Sequence, residues 1–107
     1  MIIIKLIGGL GNQLFQYALG RNLAYINQTE FKLDITGFET YKLYSYSLQN
    51  FNIVENFATE VEIAKIKKTG LWKLADKLKP HYRRSVIKYK GYDFEPNILK
   101  LSGNFYL

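Results

Sequence analysis

The feature that most restricts the fold of this 107-residue chain is an apolar run near its N-terminus that is followed at once by glycines. Ile2 to Ile7 is rich in β-branched residues and nearly continuous, which is typical of a strand buried on both faces of a parallel sheet. Gly8, Gly9 and Gly11 end this run. Glycines at such a place either form a tight turn or allow another group to come very close to the backbone.

A helix and a second strand are predicted directly after the glycines. Asn12 is a favourable N-cap, and apolar residues recur at helical spacing from there to about Asn27. Gly20 inside this helix costs roughly 1 kcal/mol relative to alanine, which a close approach to the sheet would explain. Phe31 to Ile35 alternates apolar and polar residues as a strand does. The order strand, glycine turn, helix, strand predicts a right-handed parallel βαβ unit.

The rest of the chain carries weaker structural signals. Residues 41–53 indicate an extended, partly buried segment. Thr59 and Glu62 form a capping-box pattern at the start of a short helix that is expected to end near Gly70. Further predicted elements are a helix at 71–79, a strand at 85–89, a helical turn at 96–101 and a strand at 103–107. We therefore expect an α/β fold in which the first two strands and the last one share one mostly parallel sheet, with the first helix packed on it.

Composition excludes several classes of protein and site. The chain has no cysteine and a single histidine, which excludes disulfide frameworks and disfavours Cys/His metal sites. The longest apolar run is too short to span a bilayer, and it lacks the basic region and cleavage site of a secretory signal. We therefore expect a cytoplasmic protein that uses no metal and no cofactor.

The formal charge of +6 is concentrated in one segment. Residues 64–91 carry ten Lys/Arg and one acid, Asp76, whereas residues 1–63 carry four Lys/Arg and six Asp/Glu. Such a segment forms solvated helix faces, contacts an anionic membrane surface or binds nucleic acid. No recognised nucleic-acid motif occurs, so we expect no nucleic-acid partner. Membrane contact through residues 65–90 would place the protein peripherally on the inner membrane face.

The strand, the glycine loop and the helix N-terminus together form a potential anion site, because first-turn N–H groups lack helical partners. The loop lacks the Lys-Ser/Thr of a P-loop. It matches the dinucleotide fingerprint at Gly9 and Gly11, but Leu14 replaces the third glycine, and Asp34 lies near the ribose-binding position. Three alternatives therefore stay open: a turn without a ligand, a non-catalytic basic anion-binding module and a dinucleotide-binding half-domain.

A longer match comes from Gly8 to Ala18, GGLGNQLFQYA, which resembles the N-terminal signature of the family-11 glycosyltransferases, the α-1,2-fucosyltransferases. Weaker likenesses to the same family occur in KLDIT at 32–36, YSLQNFNI at 46–53, FEPNILKL at 94–101 and GNFYL at 103–107. The family's arginine motif, H-x-R-R-G-D-Y, is absent, since His81-Tyr82-Arg83-Arg84 is followed by Ser85-Val86.

The resemblance implies that residues 1–107 form the N-terminal, Rossmann-like lobe of a GT-B type glycosyltransferase, without its donor-binding C-terminal lobe. Such an enzyme would transfer L-fucose from GDP-fucose to the 2-hydroxyl of a terminal β-galactose in a glycan, with inversion. Its partners would be GDP-fucose and a galactoside acceptor. The substrate-binding residues would be Gly8, Gly9, Gly11, Asn12 and Gln13. The chain alone is expected to be inactive.

Two polar residues have competing roles at this stage. Asn12 either caps the helix or donates hydrogen bonds to a ligand. Inverting transfer needs a base near the acceptor hydroxyl, and the catalytic residue is unknown, with Asp34 as a weak candidate. Asp34 qualifies because open α/β sheets bind ligands at the carboxyl ends of their strands. We favour its alternative role, which is to cap the turn at Thr36-Gly37.

Overall fold

A computed structural model of the protein describes residues 1–67 and 105–107. Its elements, in chain order, are β1 (Ile2–Lys5), α1 (Leu10–Ile26), β2 (Phe31–Asp34), α2 (Gly37–Thr40), a 3₁₀ turn (Leu48–Asn50), α3 (Glu60–Lys67) and β3 (Phe105–Tyr106). The predicted elements at 71–79, 85–89 and 96–101, and most of the basic segment, lie outside the described residues.

The three strands form one parallel sheet in the order β2-β1-β3. β1 and β2 pair from Ile2 opposite Phe31 to Lys5 opposite Asp34. On the other side of β1, Ile3 pairs with Tyr106. The predicted parallel βαβ unit and the α/β class are therefore confirmed. β1 is the central strand, and both of its faces are covered, which explains why its sequence is apolar without alternation.

Helices cover the two faces of this sheet. On one face, Ile2 and Ile4 of β1 join a core cluster with Leu23 of α1. On the other face, Ile3 packs in a second cluster with Ile63 and Ile66 of α3. The sheet is thus the middle of three layers, and its carboxyl edge is left for the loops that follow β1 and β2.

Gly20 explains how closely α1 approaches the sheet. A Cβ placed on Gly20 would lie 2.2 Å from Cε2 of Phe31 and 2.6 Å from Cγ1 of Ile4. Both distances are far below van der Waals contact. The prediction that Gly20 serves a close approach to the sheet is confirmed.

The predicted start of α1 was wrong by two residues. The helix begins at Leu10 and its N-cap is Gly9, which has no side chain to cap with. The first helical hydrogen bond runs from Gln13 N to Gly9 O at 3.1 Å. Asn12 therefore lies inside the first turn and does not cap the helix. The physical reason is that Gly8, at φ +77°, completes the turn out of β1 earlier than the preference of Asn12 suggested.

The capping box at the start of α3 is confirmed. Glu62 N donates to Thr59 Oγ1 at 3.3 Å, and Thr59 N donates to Glu62 Oε2 at 2.9 Å. The same carboxylate accepts a hydrogen bond from Lys32 on β2. That contact ties the start of α3 to the sheet.

The segment predicted as extended and partly buried, 41–53, is interrupted by the 3₁₀ turn at Leu48–Asn50. Leu48 is completely buried against the α1 face of the sheet. Tyr44, by contrast, is 45% exposed. None of the helices in the described part of the chain is long and apolar enough to cross a membrane.

Candidate functional site

The glycine loop lies at the carboxyl edge of the sheet, between β1 and α1. Gly8 has a left-handed backbone, and a Cβ there would lie 2.6 Å from Nδ2 of the Asn12 side chain. This position therefore requires glycine for its conformation. Gly9 is extended, at φ −76° and ψ 177°. Gly11 lies in the first turn of α1, and within residues 1–67 and 105–107 a Cβ on it would meet nothing closer than 4 Å.

No described residue covers the start of α1 on the side of Gly11. The N–H groups of Leu10, Gly11 and Asn12 precede the first helical hydrogen bond, so the helix itself supplies them no acceptor. The Asn12 side chain is exposed, and among the described residues it has no hydrogen-bond partner. Asn12 therefore does not cap the helix, and its side-chain amide remains available for the other role considered, which is to contact a ligand.

Gln13 lies beside Asn12 but points into the protein. Its side chain is completely buried. Its amide nitrogen donates to Gly8 O and to Ser45 O, both at 2.9 Å, and its amide oxygen accepts from Ser47 N at 3.0 Å. Both amide hydrogens are therefore used. Gln13 connects the glycine loop to residues 45–47, and its amide hydrogens are not available to a ligand.

A second amide, Gln16, supports the strand side of the loop. Its Oε1 accepts a hydrogen bond from Ile7 N at 3.0 Å. Gln16 had no predicted role. Its spacing could have indicated this role, because residues three positions apart, such as Gln13 and Gln16, are neighbours on the surface of a helix.

Asp34, at the carboxyl end of β2, is completely buried. Its Oδ1 accepts from the Thr36 amide at 2.9 Å and the Thr36 hydroxyl at 2.6 Å, and its Oδ2 accepts from the Tyr106 hydroxyl at 2.6 Å. Burial opposes ionisation, but these hydrogen bonds outweigh it, so the pKa of Asp34 lies below its ordinary value. Burial, reinforced by the hydrogen bond to this carboxylate, raises the pKa of Tyr106.

The favoured role of Asp34, capping the turn at Thr36, is therefore seen in the structure. Both carboxylate oxygens face protein donors, whereas a general base must reach its substrate hydroxyl directly or through one water. The contact with Tyr106 also joins the two outer strands across β1. The Nζ of Lys67 lies 4.2 Å from the centre of the Tyr106 ring and adds a cation–π contact to this cluster.

An open groove lies at the opposite end of the sheet from the glycine loop. It is lined by Arg21 and Tyr25 of α1 and by Glu30 and Phe31 at the start of β2, among others. None of the predicted site residues lines it. The described residues contain no cluster of three or more His, Cys, Asp or Glu that could hold a metal ion.

Comparison with known proteins gives one informative match. No protein-family model matches the chain, and no solved structure matches it. Over 58 residues, the chain is 38% identical to an alpha-1,2-colitosyltransferase of Escherichia coli. The matched stretch covers 53% of this chain and 20% of that protein, so the chain spans about a fifth of the length of this relative. The similarity supports a protein of the glycosyltransferase kind.

Proposed function

We propose that this chain is the N-terminal part of an inverting α-1,2-fucosyltransferase, which transfers L-fucose from GDP-fucose to the 2-hydroxyl of a terminal β-galactose. The observation that carries the proposal is the similarity to an enzyme named for an α-1,2 transfer of a related sugar. Colitose is L-fucose without its 3-hydroxyl. A site for one of these sugars therefore needs little change to accept the other, and the two donors are the natural pair to compare.

The geometry of the glycine loop supports transfer from a nucleotide sugar. At the carboxyl edge of the sheet, α1 presents first-turn N–H groups and the exposed Asn12 amide, and Gly11 leaves the approach open. Such groups suit a sugar hydroxyl or a phosphate oxygen. The three-layer α/β unit would be a Rossmann-like lobe of a GT-B enzyme, and the loop would face the cleft between its two lobes.

Among the described residues, the loop offers N–H donors to the departing GDP but no arginine. The departing GDP develops negative charge, which cations or N–H donors must stabilise more strongly in the transition state than in the ground state. Arg21, the one arginine within residues 1–67, lines the groove at the opposite end of the sheet. We therefore propose that the chain by itself neither transfers fucose nor binds GDP-fucose tightly, and that a parent protein as long as the relative does.

The test is a transfer assay on the parent protein with a β-galactoside acceptor and, in separate reactions, GDP-fucose and GDP-colitose. We expect transfer from GDP-fucose to the galactose 2-hydroxyl. Transfer from GDP-colitose alone would contradict the assignment as a fucosyltransferase but would agree with a glycosyltransferase. No transfer from either donor to any galactoside would contradict the proposal as a whole.

The role of the loop is tested in the same assay with Gly11→Val. Because a Cβ on Gly11 would meet none of the described residues within 4 Å, folding should survive and the added bulk should block a ligand. Ala18→Val is the matched control, since Ala18 is exposed two turns later on the same helix. We expect at least a tenfold loss of activity for Gly11→Val alone. If the two folded variants were equally active, the loop would be a turn that does not contact the substrate.

A further inference from the structure

One tyrosine, Tyr44, borders the glycine loop, and a second, Tyr41, lies beside it, with neither absorbed into the core. The ring of Tyr44 lies against Gly9, where a Cβ would be 3.4 Å from Cε1 of the ring. Tyr41 lies beside it, with ring centres 6.1 Å apart and planes tilted by 38°. Tyr41 is 49% exposed and Tyr44 is 45% exposed. The pair thus presents aromatic surface next to the loop rather than to the sheet.

The segment that carries Tyr44 is held in place. Gln13 accepts from Ser47 N and donates to Ser45 O, and it also donates to the loop at Gly8 O. Tyr44, which directly precedes Ser45, is therefore fixed relative to the loop by a buried side chain. A half-exposed ring on an anchored backbone loses little conformational freedom when it binds a ligand.

The groups around the loop match the chemistry of a sugar. One face of β-galactose presents a patch of C–H groups, and the electron-rich face of a tyrosine ring attracts such weakly positive hydrogens. Asn12 lies against Gly8 and Tyr44 against Gly9, so a polar amide and an aromatic ring flank the same dipeptide. Flat aromatic surface for orientation and a few polar groups for hydroxyls form the usual composition of a small-molecule site.

We propose that Tyr41 and Tyr44 form a stacking platform for the pyranose ring of the acceptor galactoside, held beside the glycine loop by Gln13. The inference rests on the proposed function for the identity of the sugar. It adds the place in the chain where that sugar binds, which neither the loop sequence nor the similarity to the colitosyltransferase assigns.

The test is a titration of the 107-residue chain with methyl β-galactoside, followed by NMR shifts of the loop amides and by saturation transfer to the sugar. We expect roughly millimolar affinity, as for a single small ring. Tyr44→Leu and Tyr41→Leu should each weaken binding about three- to tenfold. Tyr44→Phe, which keeps the ring, should bind nearly as well as the unchanged chain.

Tyr25→Leu is the matched control, because Tyr25 is 84% exposed and lines the groove at the other end of the sheet. It should bind the galactoside normally. Absence of binding, binding by Tyr41→Leu and Tyr44→Leu that is as tight as that of the unchanged chain, or tyrosine-dependent binding of guanosine monophosphate in place of the galactoside would each overturn the platform. If Tyr44→Leu fails to fold, the Tyr41→Leu result decides.

Failure of the platform and failure of the proposed function give different results. A parent protein that transfers fucose, together with a chain whose tyrosines do not bind the galactoside, retains the enzyme and rejects the platform. A chain that binds the galactoside through its tyrosines, within a parent that transfers no sugar, retains the platform and rejects the enzyme.

Discussion

Gly20→Ala should destabilise the protein even though alanine is the better helix residue. Alanine in place of glycine inside a helix contributes about 1 kcal/mol of stability through backbone entropy alone. Against that gain, the new methyl carbon would lie 2.2 Å from the ring of Phe31 and 2.6 Å from Ile4. Neither neighbour is the free end of a flexible chain, because both belong to the buried core under α1.

The steric cost should exceed the gain in helix propensity. Overpacking a core by one methyl group typically costs about 1–3 kcal/mol. Overlap with two core neighbours, one of them the Phe31 ring that also makes a T-shaped contact with Tyr17, points to the upper end or beyond. We expect Gly20→Ala to lower the free energy of unfolding by about 2 kcal/mol and the midpoint temperature by roughly 10 °C.

The measurement is urea unfolding of the chain and of the variant, followed by far-UV circular dichroism, with the slope compared between them. Gly11→Ala is the matched control: it changes the same residue type in the same helix, at a position where no part of the chain that the structure describes lies within 4 Å of the added Cβ. This control should be as stable as the unchanged chain or more stable, by up to about 1 kcal/mol. If Gly20→Ala were as stable as the control, α1 would not lie as close to the sheet as described, and the reasoning would fail.

Three further perturbations test other parts of the structure. Hydrogen bonds hold the pKa of Asp34 below its ordinary value, so the stability that its carboxylate contributes is present at neutral pH and is lost as the pH falls through that lowered pKa. In urea unfolding between pH 7 and pH 2, Asp34→Asn should therefore be less stable than the unchanged chain at neutral pH and should lose less stability on acidification. Gln13→Leu removes the side-chain hydrogen bonds to Ser47 N and Gly8 O and one of the two hydrogen bonds that Ser45 O accepts. Because a group left unpaired away from water costs up to about 1–3 kcal/mol, the variant should be less stable and the Ser47 amide should exchange faster; unchanged protection would contradict the anchoring role. If residues 65–90 contact membranes, the protein should sediment with anionic vesicles at low salt and be released at high salt, where charge attraction is screened within about 8–10 Å; equal binding to neutral vesicles would exclude an electrostatic contact.

The parts of the fold that were predictable from sequence are those set by short-range pattern. The run at Ile2 to Ile7 indicated a strand covered on both faces, and the structure places β1 between two strands and two layers of helix. Gly20 indicated a close packing contact because glycine is unfavourable inside a helix. Each inference needed only the local sequence of a single segment.

The start of α1 was mispredicted because capping preference is a local average and the backbone of the loop was not known. Gly8 alone adopts a left-handed conformation in this loop, and it sends the chain into the helix two residues before Asn12. Three glycines in four positions gave no indication of which one would do so.

The contacts that define the candidate site join residues far apart in the chain. The Tyr106 hydroxyl reaches Asp34 across 72 positions, and Gln13 reaches Ser45 and Ser47 across 32 and 34. Such partners depend on how strands and loops come together in space. Sequence periodicity reports which face a residue occupies but not which distant group it meets there.

Helical phase therefore decides what each amide of the loop sequence does. Successive residues on a helix point about 100° apart, so Asn12 faces solvent while Gln13 faces the 45–47 segment, and Gln16 returns toward the end of β1. A match to a family signature names these residues together, yet they act differently. Activity lost in an Asn12 variant of unchanged stability would indicate contact with a ligand. Activity lost in a Gln13 variant, with Ser47 exchanging faster, would instead indicate a loop that has changed shape.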